Sequence, residues 1–266
     1  MSAVDELFAD LRSKNTKALM PFLTAGDPNI ETTAAILREI GSAGANLCEV
    51  GVPYSDPIAD GPVIQASYQR ALDNGFRLQN VFDLGADVAS DAGMPLVTMV
   101  SYAIIFRTGL HKYVQLAKAA GYAGAIVPDL LVEEAEEFAA ICREADFSLI
   151  QLVTPTTPRE RQVRIANSSS GFLYYVSVTG ITGERTELPK DLTDNVAWLR
   201  SQTDLPICIG FGISGTETAA KLAPVADGLI VGSAVVRRIA AAKDAAQATA
   251  NVRTFIAELR ESIDKA

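Results

Sequence analysis

Two carboxylates stand where proton chemistry is within reach. Glu49 lies near the end of the apolar run NLCEVG (46–51), between Cys48 and Val50. An acid inside such a run costs free energy unless it is paired or neutralised, so its position needs a cause. Burial would raise its pKa toward neutrality and suit it to general acid/base work. A salt bridge to a neighbouring strand would account for it equally well. Asp60 follows eleven positions later, in the loop PYSDPIADGP (53–62). Pro53, Pro57 and Pro62, with Gly61, limit the loop's freedom and so let it hold a carboxylate over a mouth at modest entropic cost. Asp56 competes for that role, and either aspartate also suits an Asx-turn or helix N-cap.

Three glycine-containing stretches suggest an anion site: GITGER (180–185), GFGIS (210–214) and VGSAVV (231–236). The last two run from strand into helix, where backbone N–H groups point at an anion and Ser233 adds a hydroxyl; helix capping alone would also call for such residues. Gly180 and Gly183 suit hinges of a lid with Thr179 and Thr182 at its tip, or of a plain surface loop. Phe22, Tyr102, Tyr174 and Phe211 fall at or just past strand ends and fit either an apolar pocket or the core. Neither a GxGxxG fingerprint nor a GxxxxGK[ST] loop is present.

Elements that could position these residues recur along the whole chain. Eight continuously apolar runs, at 18–23, 46–51, 95–100, 124–128, 148–153, 172–177, 206–210 and 228–232, alternate with amphipathic helical stretches. Continuous rather than alternating apolarity marks strands covered on both faces. Eight such units predict an α/β fold, a single (β/α)8 TIM barrel over residues 1–266, with an extra N-terminal helix at 4–14 and a long final helix at about 244–264. Two connections too long for simple turns, 52–61 and 178–189, follow strand C-termini, the end at which such barrels carry their active sites.

The 266 residues are 48% hydrophobic and 21% charged, as in ordinary globular chains. A net charge of −9 disfavours nucleic acid, and an anionic substrate would need local donors to reverse the field. No stretch approaches the roughly 20 apolar residues of a membrane span, and the acidic N-terminus lacks signal-peptide character, so a cytoplasmic location is expected. Cys48, Cys142 and Cys208 read as buried small hydrophobes. His111 is the sole histidine and opens a helix, which leaves no multi-histidine metal site.

Taken in order, PFLTAGDP (21–28), EVGVPYSDPIADGP (49–62), SYAIIF (101–106), GITGER, GFGIS and GSAVV (232–236) resemble the tryptophan synthase α subunit family. The resemblance runs from the first strand to the last, and PYSDPIADGP is its most specific piece. It implies a lyase that splits indole-3-glycerol phosphate into indole and glyceraldehyde-3-phosphate without a cofactor or metal, and a β-subunit partner in an αββα heterotetramer that receives the indole. Glu49 would be the acid/base catalyst, Asp60 the acceptor of the indole N–H, and Tyr174 the tyrosine beside them, with Tyr175 one register away. Thr182 would orient Asp60 on lid closure. Gly183, Gly212, Gly232 and Ser233 would cradle phosphate, and Phe22, Tyr102 and Phe211 would surround the ring. Two positions depart from the family pattern: Ile104 replaces an asparagine and Pro128 an alanine. The first bears on partner contact more than on catalysis, because both carboxylates remain. A lyase that works alone, a non-catalytic phosphate sensor and a sugar-phosphate isomerase are the competing functions.

Overall fold

The computed structural model describes residues 1–57, 60–177, 190–210 and 212–266. Every apolar run forms a parallel strand: β1 (Ala18–Thr24), β2 (Cys48–Gly51), β3 (Leu96–Met99), β4 (Tyr122–Ile126), β5 (Ser148–Ile150), β6 (Leu152–Val153), β7 (Leu173–Val176), β8 (Ile207–Gly210) and β9 (Gly228–Val231). They pair in the order β5-β4-β3-β2-β1-β9-β8-β7-β6. The two ends of that order, β5 and β6, are halves of the single run 148–153, parted only by Gln151. The sheet therefore closes on itself as an eight-stranded barrel, the expected TIM fold. Gln151 is buried, and its side-chain oxygen accepts from the hydroxyls of Ser168 and Ser169.

Strand β4 sits two residues earlier than the expected 124–128. Pro128 has no N–H to donate, so the ladder ends with Val127 donating to the Ile150 carbonyl at 3.3 Å. At the other end a register shift between Leu96 and Val97 admits an extra residue and extends the strand back to Tyr122.

Strand alternation sorts the apolar residues into two compartments. Met20, Leu47, Val97, Ile126, Ile150, Cys208 and Ile230 fill the barrel interior. Cys48, Val50, Leu149, Tyr175 and Ile209 face outward into the larger core beneath the helices. Helix α1 (Ala3–Ser13) begins at Ser2 with a capping box involving Asp5. Its Val4, Phe8 and Leu11, spaced along one helical face, join the interior cluster, with Phe8 5.6 Å from Phe172. The N-terminal helix thus stoppers the barrel. At the other end of the chain, α12 (Ala245–Asp264) starts at the N-cap Asp244 and packs on α2 (Ile30–Ile40) and α11 (Ser233–Ala240).

All three cysteines are buried free thiols, and His111 lies exposed on α6 (Leu110–Ala119). Among the described residues, no helix is long and apolar enough to cross a membrane.

Candidate active site

Period-two alternation turns Leu47, Glu49 and Gly51 to the same, inner face of β2. Glu49 is in register with Phe22 on β1 and Val97 on β3, so the carboxyl stands at the point where the packed interior gives way to open space. That space is a cavity of about 600 Å³ whose wall includes Phe22, Glu49, Asp60, Tyr174, Gly212 and Gly232. Glu49 is 1% exposed, and neither of its carboxylate oxygens has a hydrogen-bond partner among the described residues. Among the described residues there is no salt bridge to explain it. Burial alone lifts its pKa well above the usual carboxylate range.

The tyrosine pair resolves by the same alternation. Tyr174 faces the cavity, and a Cβ built on Gly210 of the neighbouring strand would lie 2.4 Å from its hydroxyl. Glycine at 210 is what leaves the ring its place. Tyr175 points the other way, into the outer core.

Asp60 precedes Gly61, the N-cap of α3 (Pro62–Asp73), and Pro62 takes the first helical position, where its missing N–H is no loss. The Gln65 side-chain amide donates to the Asp60 carbonyl at 2.7 Å, which ties the loop to the helix that follows. The Asp60 side chain lines the 600 Å³ cavity and also a second one of about 230 Å³, with Met99 and Pro128 as their other shared walls. Desolvation pushes its pKa up to about 6. Asp56 is exposed, accepts from Ser55 Oγ at 2.8 Å and reaches only the smaller cavity. Pro128, one of the two departures from the family pattern, is therefore part of the partition between the cavities.

Gly212, Gly232 and Ser233 line the same cavity as the carboxylates. Gly212 has φ +82°, a left-handed conformation that side-chain-bearing residues rarely adopt. Gly232 is the N-cap of α11 and Ser233 its first residue, so the first-turn N–H groups, which have no intrahelical acceptor, open on this wall. Thr182, Gly183 and Phe211 lie outside the described residues. Tyr102 is not brought to the cavity wall. Its N–H donates to Asp129 Oδ1 at 2.7 Å, and its ring stands 6.2 Å from Phe106 and 6.5 Å from Phe138. Ile104 packs against the outer core, whereas Phe106 and Leu131 are 70% and 53% exposed. Among the described residues no group of three His, Cys, Asp or Glu could hold a metal ion.

The geometry adds two polar side chains that the sequence did not single out. Tyr68 on α3 is 3% exposed and lines the smaller cavity; a Cβ on Gly51 would lie 3.0 Å from its hydroxyl. Burial and then the charges of Asp60 and Glu49 raise its pKa. Arg237 on α11 lines the larger cavity beside Ser233. Arg237 follows the named Ser233 at helical spacing, which was an available signal; no named residue pointed to Tyr68 in the same way.

A family described as Tryptophan synthase alpha chain matches residues 8–264. A tryptophan synthase alpha chain from Rhodopirellula baltica is 66% identical over 278 aligned positions and is covered, like this chain, over its whole length. One from Synechocystis sp. is 46% identical, with 99% of this chain and all of the relative covered. The crystal structure of tryptophan synthase subunit alpha from Legionella pneumophila str. Paris is similar with a TM-score of 0.91, at 33% identity, covering all of both chains.

Proposed function

Because the chain belongs to the tryptophan synthase alpha chain family, we propose that its cavity is where indole-3-glycerol phosphate is cleaved to indole and glyceraldehyde-3-phosphate, and that Glu49 and Asp60 carry the reaction. The observation that carries this is the buried Glu49 carboxyl, without a partner among the described residues, in one cavity with Asp60 and the glycine-rich ends of β8 and β9.

Neutral Glu49 protonates C3 of the indole ring, and positive charge develops at N1. Ionised Asp60 accepts the N1–H and stabilises that charge in a site shielded from water. The bond from C3 to the glycerol carbon then breaks, and its electron pair restores the ring. The glycerol hydroxyl loses its proton to the Glu49 carboxylate as the aldehyde forms, which returns the acid to its starting state. No cofactor is invoked. Tyr174 stands beside the pair and Phe22 against the ring, while Phe211 is assigned to the pocket by family resemblance alone. Gly212, Gly232 and Ser233, with Gly183, bind phosphate far from the breaking bond and so supply orientation. Thr182 belongs to the lid that sets Asp60.

The exposed Phe106, on the helix after β3 (Tyr102–Thr108), and Leu131, on the loop after β4, support docking of a β subunit that takes the indole, in an αββα assembly. We place the whole in the cytoplasm as a single barrel domain. The deciding experiment is cleavage by the purified chain with and without a β subunit, in wild type and Glu49→Gln. Loss of cleavage in the variant and acceleration by the partner are expected. Full activity of Glu49→Gln would refute the assignment of Glu49, and partner-independent fast cleavage would refute the coupled assembly.

A further inference from the structure

The substrate proposed above is a phosphate dianion, and it enters a cavity that already holds the ionised Asp60 in a chain of net charge −9. Backbone N–H groups orient an anion, but their partial charges do not cancel that field. Among the described residues lining the cavity, Arg237 is the one cation. It is exposed, and its guanidinium makes no ion pair or hydrogen bond among the described residues. Its neighbour Arg238 is committed to the fold: its guanidinium lies 3.4 Å over the Phe255 ring and donates to the Ala234 carbonyl at 2.8 Å.

Arg237 sits four residues after Ser233 on α11, hence on the same helical face. Helical side chains lean toward the N-terminus, so its guanidinium is carried back over the first turn, where Gly232 and Ser233 present their N–H groups. The Gly232 Cβ position would lie only 3.7 Å from Phe22 Cβ, which places this turn against the ring-binding wall.

We propose that Arg237 is a substrate-binding residue, a cation that pairs with the substrate's phosphate and draws it to the mouth against the chain's own negative field. This rests on the lyase function proposed above. A guanidinium matches phosphate through paired N–H donors, and at an exposed position it acts on capture more than on the chemical step.

The test uses the full chain as wild type, Arg237→Gln and Arg237→Lys, measuring kcat, KM and ionic-strength dependence with indole-3-glycerol phosphate, and inhibition by inorganic phosphate. Gln is expected to raise KM and the phosphate inhibition constant about fivefold to tenfold, change kcat less than about twofold, and flatten the salt dependence of kcat/KM; Lys is expected to recover most of the loss. Wild-type KM and salt slope in Arg237→Gln, or equal losses in Gln and Lys, would overturn the role of Arg237 and leave the lyase function standing. A wild-type chain that neither cleaves the substrate nor is inhibited by phosphate would overturn the function itself.

Discussion

The hydroxyl of Tyr174 occupies the space that a side chain on Gly210 would need: a Cβ there would lie 2.4 Å from the oxygen and 2.7 Å from ring carbons. Gly210→Ala should therefore act mainly by pivoting the Tyr174 ring. The expected result is a fall in kcat of about tenfold with a stability loss of about 1–3 kcal/mol. In a Tyr174→Ala background the clash is gone, so the added cost of Gly210→Ala should shrink below about 0.5 kcal/mol. A double-mutant cycle in urea, paired with cleavage assays, checks both. Full additivity would mean that the ring does not depend on the glycine.

Glu49 makes stability depend on pH in a defined direction. Its folded pKa is raised above the unfolded value near about 4.3, so the native state keeps a proton that the unfolded chain has released. Its contribution is full below that pH and is lost as pH rises toward the folded pKa, at up to about 1.4 kcal/mol per pH unit. Glu49→Gln removes this slope. The variant should match wild type near pH 4 and exceed it at pH 8, read from urea midpoints, while its kcat falls by about 10²–10⁴. An identical pH slope in both proteins would rule out a neutral buried carboxyl.

Activity should show a second, acidic dependence. Asp60 must be ionised to meet charge at N1, and its pKa lies at about 6. For the free chain, kcat/KM should drop about tenfold per pH unit below that point. Asp60→Asn should be much slower and should lose this acidic limb. Persistence of the limb in the variant would move the titration to another group.

Arg70 and Asp27 form a two-pronged ion pair, Nε to Oδ1 at 2.8 Å and a terminal nitrogen to Oδ2 at 2.7 Å, with Asp27 only 2% exposed. The pair ties the loop after β1 to α3, which carries Ile64 and Tyr68 into the cavity walls. Arg70→Ala strands a buried carboxylate and should cost about 1–3 kcal/mol, discounted because the arginine is partly exposed. Arg70→Lys should recover only part of this, since one ammonium cannot replace two parallel bonds. Guanidinium denaturation measures the difference.

How much was legible in the sequence depended on whether a residue broke its local pattern. Glu49 announced itself because an acid in an apolar strand is costly wherever the strand ends up. Gly212 did so because a strand leading into a helix through glycine admits few backbone paths. Tyr174 and Tyr175 were indistinguishable in composition, and only the register of β7 separated them. Tyr102 was placed around the ring by resemblance, its position after β3 suiting pocket or core alike, and the bond from its N–H to Asp129 helps hold it among Phe106 and Phe138. Tyr68 and Arg237 sit on helices whose tilt against the barrel decides what they face. No local pattern encodes that tilt. The ends of β4 were misplaced because both Pro128 and the register shift beside Val97 act through the neighbouring strand.

The α1 stopper has a consequence for how the molecule tolerates change. Phe8 and Leu11 seal one end of the barrel interior, and the carboxylates and glycine loops meet at the other, with the packed layer of Met20, Leu47 and Val97 between them. Groups that far apart share no partners, so their effects should combine by simple addition. Phe8→Ala should therefore lower unfolding free energy by about 3–5 kcal/mol while leaving KM and the pH limbs of activity unchanged at temperatures where the chain stays folded. Robustness and chemistry are thus housed at opposite ends, and selection on one leaves the other free to drift.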